Sequence, residues 1–206
     1  MSGLKIHPGE TELAIAKRIL LQLKAHDCSS AFRIIVASGP RTALPHGYAT
    51  NRRIKKRELV MIDFGASYKG HCSDITRTFV VGRVHPHQKR IFEIVKIAQR
   101  RAIKMVRAGM SCRKVDAAAR DYIKHKMYGH CFIHTTGHGV GRKIHQQPKI
   151  SLHNWHPLKA GMVITIEPGI YIKGWGGVRI EDMVLVTPRG CELLTKVPVH
   201  LHGANL

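Results

Sequence analysis

"ELVMIDFGASYKG" (residues 58–70) is an apolar run that ends on an acid, Asp63, with a glycine two residues later and then a Lys-Gly pair. "GMVITIEPGIYIKG" (161–174) repeats that layout, with Glu167 opposite Asp63, Gly169 opposite Gly65, and Lys173-Gly174 opposite Lys69-Gly70. A second match, at an offset of 100 residues, sets "HPGETELAIAKRI" (7–19) against "RAGMSCRKVDAAARDYI" (107–123) through Gly9 and Gly109. Such self-similarity predicts two halves of like construction. Each half brings one acid to the end of an apolar strand and a second, Asp74 or Glu181, to the strand that follows.

Acids are scarce in this chain, where 34 Lys and Arg face 13 Asp and Glu for a formal charge of +21. A buried carboxylate without a partner costs several kcal/mol or takes up a proton. Four carboxylates converging on one seam repel unless cations lie between them, so the repeat predicts a metal site. Neutral ligands are at hand in "FIHTTGHGVGRKIHQQP" (132–148), where His134, His138 and His145 lie among glycines that allow close backbone approach. Oxygen-rich sites with an imidazole suit manganese, cobalt or iron, with zinc also allowed.

The length of 206 residues and a hydrophobic content of 44% fit one globular domain. The opening "MSGLKIHPGETE" has no apolar signal region, and no run is long enough to span a membrane. Five cysteines, widely spaced and without a CxxC, argue against a disulfide framework or zinc ribbon and for reduced thiols, hence a soluble cytoplasmic protein. Periodicity predicts helices over 9–27, 85–109 and 111–127. The first is expected to bury Leu13, Ala16, Ile19, Leu20 and Leu23, the second Ile91, Ile94, Val95, Ala98, Ala102 and Met105, and the third Val115, Ala118, Ala119 and Ile123. Strands are expected over 32–39, 59–65, 72–82, 162–172 and 177–187.

Five ordered motifs, "PHG", "DFGASYKGHCSDITRT", "HTTGHGVGRKIH", "GMVITIEPGIY" and "GVRIEDMVLVT", resemble the metallopeptidase family that includes aminopeptidase P, prolidase, methionine aminopeptidase and creatinase. The resemblance runs from about Gly9 to Pro198 and implies the α+β pita-bread fold: two pseudo-symmetric halves around a curved antiparallel sheet, with helices outside. It also implies a metal set of Asp63, Asp74, His138, Glu167 and Glu181 holding two divalent ions, manganese or cobalt first, zinc or iron as alternatives. Glu167 would also serve as proton shuttle, His46 would stand near the leaving nitrogen, and His134 and His145 would hydrogen-bond the substrate carbonyl and the developing oxyanion. Arg179 would brace a ligand carboxylate from behind, and the chemistry would be attack by a metal-bridging hydroxide.

The "EPGIY" and "GVRIED" patterns resemble the proline-specific branch of that family, which implies cleavage of Xaa-Pro bonds in dipeptides or at the amino end of peptides. Amino-terminal methionine removal, or a non-catalytic binding role on the same fold, is the alternative. Residues 1–206 are read as a single catalytic domain, with the amino-terminal domain usual in that branch expected to be absent and a homodimer as one quaternary option. Two departures stand out. Gln146 follows His145 where the family usually has a glutamate, and the basic clusters "RRIKKR" (52–57) and helix 86–107 allow weak, salt-dependent polyanion binding.

Overall fold

The computed structural model describes residues 4–201, so the outer ends of the expected 1–206 domain and the first three residues of the opening segment lie outside the described residues. Among the described residues three α-helices form: α1 (Glu12–Ala25), α2 (Pro86–Met105) and α3 (Cys112–His125). The first six strands are β1 (Ser29–Ser30), β2 (Ile35–Ser38), β3 (Leu59–Phe64), β4 (Ala66–Tyr68), β5 (His71–Cys72) and β6 (Ile75–Val80). After α3 come β7 (Gly137–Gly139), β8 (Gln146–Ile150), β9 (Val163–Ile166), β10 (Gly169–Ile172), β11 (Gly176–Arg179), β12 (Asp182–Val186) and β13 (Cys191–Leu193).

The repeat read from the sequence is present in the backbone. Gly9 and Gly109 both take left-handed φ values, +93° and +81°, that favour glycine. Each then donates its N–H to a matching carbonyl, Gly9 to Ile54 at 2.8 Å and Gly109 to Leu158 at 2.9 Å. The helices that follow are capped alike, with the Thr11 hydroxyl accepting from Ala14 N and the Ser111 hydroxyl from Lys114 N. In the first half α1 lies on the sheet β2-β3-β6, and in the second α3 lies against the five-stranded sheet β13-β12-β9-β7-β8. Among the described residues every pairing is antiparallel, and the central pairs β3/β6 and β9/β12 set Ile62 opposite Arg77 and Ile166 opposite Asp182. Arg77 of the first half and Asp182 of the second meet across the seam in a buried ion pair of 2.6 Å.

Among the described residues two large apolar cores hold the halves, with a small third cluster of Ile35, Met61 and Tyr171. The larger packs α2 and α3 around Phe92, Val115, Ile123, Ile150, Ile164 and Val178, and the smaller sets Ile15, Ile19 and Leu23 of α1 against Val36, Val60 and Phe79. Burial of side chains of this size stabilises by about 1.5–3 kcal/mol each, so most of the fold's stability resides here.

Several expected elements differ in detail. The predicted strand 162–172 is two strands, β9 and β10, in different sheets, because Pro168 has no N–H to continue a ladder. The predicted strand 177–187 is likewise divided at Ile180-Glu181, where Glu181 N donates instead to Thr76 O of β6 at 3.2 Å. The 72–82 strand is interrupted at Ser73-Asp74, leaving β5 and β6. Leu13 and Leu20 are 45% and 46% exposed rather than buried. Instead α1 turns Glu12, Ile15, Ala16, Ile19 and Leu23 inward, because Glu12 accepts hydrogen bonds from Ser38 and Thr50 in the interior. Met105 and Ala118 are only partly buried. All five cysteines are free thiols, and among the described residues no helix is long and apolar enough to cross a membrane.

Candidate functional site

Where the two central hairpins meet, Asp63 sits near the end of β3 and Glu167 just beyond β9, while Asp74 precedes β6 and Glu181 precedes β12. All nine residues nominated from the sequence line one cavity of about 760 Å³. His138 comes from β7, whose neighbour β9 leads into Glu167. Its Nε2 stands 3.4 Å from Glu167 Oε1 and 3.7 Å from Asp74 Oδ2. Asp74, His138 and Glu181 can each offer an atom such that all three lie within 4.8 Å of one another.

Arg179 serves this group without facing it freely. Its Nη2 donates to Asp63 Oδ2 at 2.6 Å, its Nε to Thr76 Oγ1 at 3.1 Å, and its Nη1 to the Tyr171 hydroxyl at 2.9 Å and Pro45 O at 3.0 Å. Thr76 in turn donates to Glu181 Oε2 at 2.7 Å. Each of these two acids is thus held by one oxygen, and the other oxygen, Asp63 Oδ1 or Glu181 Oε1, is buried without a protein partner. Buried polar atoms are seldom left so.

The electrostatics follow from crowding. Burial, then the charges of Asp63 and Glu167, push Asp74 up to about 9. Burial, opposed by Arg179 and reinforced by Asp63, pushes Glu167 up to about 7. Asp63 is raised by burial despite Arg179, and Glu181 is raised well above the carboxylate range by burial and the neighbouring acids. Burial lowers His138 to about 4, which leaves its imidazole neutral and able to ligate. Unpaired oxygens, proton-loaded acids and a neutral histidine are what a cation site looks like when charge balance must come from outside the protein. The residues present therefore fit divalent metal.

The nominated histidines differ in setting. His46 is exposed, on the turn after Pro45, whose carbonyl Arg179 holds. His145 is exposed and lies edge-on to His138, with ring centroids 4.3 Å apart. His134 has both nitrogens engaged, Nδ1 with Thr135 O at 2.7 Å and Nε2 with the Tyr171 hydroxyl at 2.8 Å. Since Nδ1 donates to a carbonyl, Nε2 accepts from Tyr171. Burial and Arg179 lower His134 to about 4, in keeping with this neutral form. Sequence reasoning missed Tyr171 and Thr76. Their signals were local: Tyr171 closes the "EPGIY" motif four residues after Glu167, and Thr76 lies two residues after Asp74, on the same side of an extended segment.

Residues 1–188 match Metallopeptidase family M24. This chain belongs to that family. Among its M24 relatives it is 49% identical over 193 residues to the Xaa-Pro dipeptidase of Pyrococcus furiosus, covering 93% of this chain and 56% of the relative. The solved Xaa-Pro dipeptidase from Bacillus anthracis superposes with a TM-score of 0.94 at 47% identity, over 96% of this chain and 56% of that one. The X-Pro aminopeptidase from Thermotoga maritima gives 0.93 at 41%, over 95% and 56%. The M24 fold, two pseudo-symmetric α+β halves, is thereby the fold of this chain, which spans little more than half the length of the relatives it matches.

Proposed function

We propose that this chain hydrolyses the bond before proline in Xaa-Pro dipeptides or at the amino end of longer peptides, with two divalent metal ions. The observation that carries the proposal is the pair of unpartnered buried oxygens, Asp63 Oδ1 and Glu181 Oε1, in the cavity that also holds Asp74, His138 and Glu167. Those five residues would hold the ions, manganese or cobalt by preference, with zinc or iron as alternatives. When bound, the metals would polarise the scissile carbonyl and lower the pKa of a water. Glu167, the most exposed of the four acids with 16% of its side chain accessible, accepts the proton of the attacking water and returns it to the leaving nitrogen. His46 at the cavity mouth supports that nitrogen, and His145 donates to the substrate oxygen. His134 acts with them through Tyr171, and Arg179 opposes the effect of burial on Asp63 and aims its carboxyl group. Proline specificity is supported by relatives named as Xaa-Pro dipeptidase and X-Pro aminopeptidase.

The test is to strip the protein of metal, reload manganese or cobalt, and follow an Xaa-Pro dipeptide, an Xaa-Pro tripeptide and a Met-Ala-Ser peptide beside Glu167→Ala. Metal-dependent cleavage before proline, abolished in the variant, supports the proposal. Cleavage of the methionine peptide alone would replace it with amino-terminal methionine removal, and metal uptake without any cleavage would favour a binding role.

A second reading concerns the outer surface. Lys89, Arg90, Arg100, Arg101 and Lys104 on α2 and Arg113, Lys114 and Lys124 on α3 are exposed, and Glu93, the acid of α2, is paired with Lys96. This charge supports weak polyanion contact, so retention on duplex nucleic acid at 50 mM salt should fall by orders of magnitude by about 200 mM. Five unpaired thiols suit a reducing, cytoplasmic compartment.

A further inference from the structure

Outside the cavity, Asp116 of α3 is a fully buried acid whose hydrogen bonds reach the segment that leads into β7. We infer that Asp116, together with Arg120, is a positioning residue that fixes the segment 132–136, which carries His134 and leads into the His138 strand β7, and through it the backbone of Glu167. The inference rests on the peptidase reading for what the positioned groups do, and on the following contacts for the positioning itself.

Asp116 Oδ1 accepts from Thr136 Oγ1 at 2.8 Å, Thr136 N at 3.2 Å and Arg120 Nη2 at 3.0 Å, while Oδ2 accepts from Arg120 Nε at 2.8 Å. Arg120 spends its remaining donors on the same segment, giving Nη1 to Phe132 O at 3.0 Å and Nη2 to His134 O at 2.7 Å. Residues 132, 134 and 136 are thus gripped in alternation, on the N-terminal side of His138. The grip passes on, because Thr136 O accepts the Glu167 N–H at 2.7 Å. The Arg120 guanidinium also lies 4.1 Å over the Phe132 ring, which stands edge-on to His134 at 5.2 Å. One carboxylate therefore connects to two cavity histidines and to the main chain of the proton-handling acid, without lining the cavity itself.

The first half contains the same device, which sets it apart from ordinary core packing. Glu12 of α1 is fully buried, accepts from the N–H and hydroxyl of Ser38 and of Thr50, and pairs with Arg41. Arg41 Nη2 then donates to Tyr48 O at 2.8 Å, so the segment bearing His46 is clamped between Ser38 and Thr50. An acid on the repeated helix with an arginine partner fixes the histidine segment in each half. In the second half the acid has moved one turn along the helix, from the place of Glu12, which Cys112 occupies, to 116.

Groups that orient ligands from behind typically change metal affinity or activity by about 10–100-fold when altered, and a displacement of about 1 Å at reacting groups can cost about a hundredfold. The experiment compares wild type, Asp116→Asn and Thr136→Val with Ile123→Val, a core change on the same helix. Hydrogen exchange is read first, on metal-free protein. We expect residues 132–139 and the Glu167 amide to exchange at least about tenfold faster in both test variants while β3 and β6 keep their protection. With metal, kcat on an Xaa-Pro dipeptide should fall about 10–100-fold with KM moving less than about threefold, at a melting temperature matched by the Ile123→Val control. Exchange that is unchanged, or that rises uniformly over the chain as in the control, would overturn the positioning role. A wild type that never cleaves would overturn the peptidase reading instead, and the exchange result would still decide this one.

Discussion

Thr76 has one hydroxyl and two clients: it donates to Glu181 and accepts from Arg179, so a single oxygen sets the directions of an acid and of the arginine that holds Asp63. Thr76→Val keeps the shape and removes both bonds. Metal affinity, measured by titration calorimetry, should fall about 10–100-fold with little change in melting temperature. The acids themselves give the metal-free protein a distinctive pH response. Asp74 is raised from an ordinary value near 4 to about 9, and Glu167 to about 7, so between those limits the folded state holds protons that the unfolded state has released. Their stabilising contribution is complete below about pH 4 and is lost as pH rises through 7 and then 9. Thermal melts of metal-stripped protein should therefore fall from about pH 7 to pH 9, above the range where the lowered His134 and His138 act in the opposite sense, and Asp74→Asn should flatten that fall.

At the scale of elements, the strands β7 and β9 bring His138 and Glu167 together, and glycine permits it. A Cβ on Gly137 would lie 1.9 Å from Thr165 O, so the two strands could not approach. Gly137→Ala should cost about 1–3 kcal/mol or more, read as a lower urea midpoint, and should weaken metal binding beyond that loss. This strand also shows where the sequence was opaque. "GHG" has little strand propensity, and its extended form comes from tertiary pairing rather than local preference. The face of α1 was misread for a related reason: counting apolar residues favours Leu13 and Leu20, but the buried carboxylate of Glu12 sets the rotation of the helix. By contrast α2 and α3 were legible because their buried polar residues, Gln88 and Gln99 on α2 and Asp116 on α3, fall on the same face as the apolar stripe, apart from the partly exposed Met105 and Ala118.

Over the whole molecule, the repeat was legible because acids are few and glycines mark it, and from it followed the seam where four acids meet. What spacing could not give was the cross-seam register, in which Thr76 and Arg77 of one half serve Glu181 and Asp182 of the other. Metal should bind both halves at once and tie them together. With free metal at about 100 times its dissociation constant, one site adds about 2.7 kcal/mol, equivalent to about 5–10 °C for a chain of this size, and a thermal scan against metal concentration checks it. The central claim is that Asp63, Asp74, His138, Glu167 and Glu181 form a site for two ions, and metal stoichiometry tests it most directly. Titration of stripped protein with manganese or cobalt should give two ions per chain, falling to one or none in Asp74→Asn and Glu181→Gln. A wild type that binds no ion in this cavity, or variants that still bind two, would contradict the account.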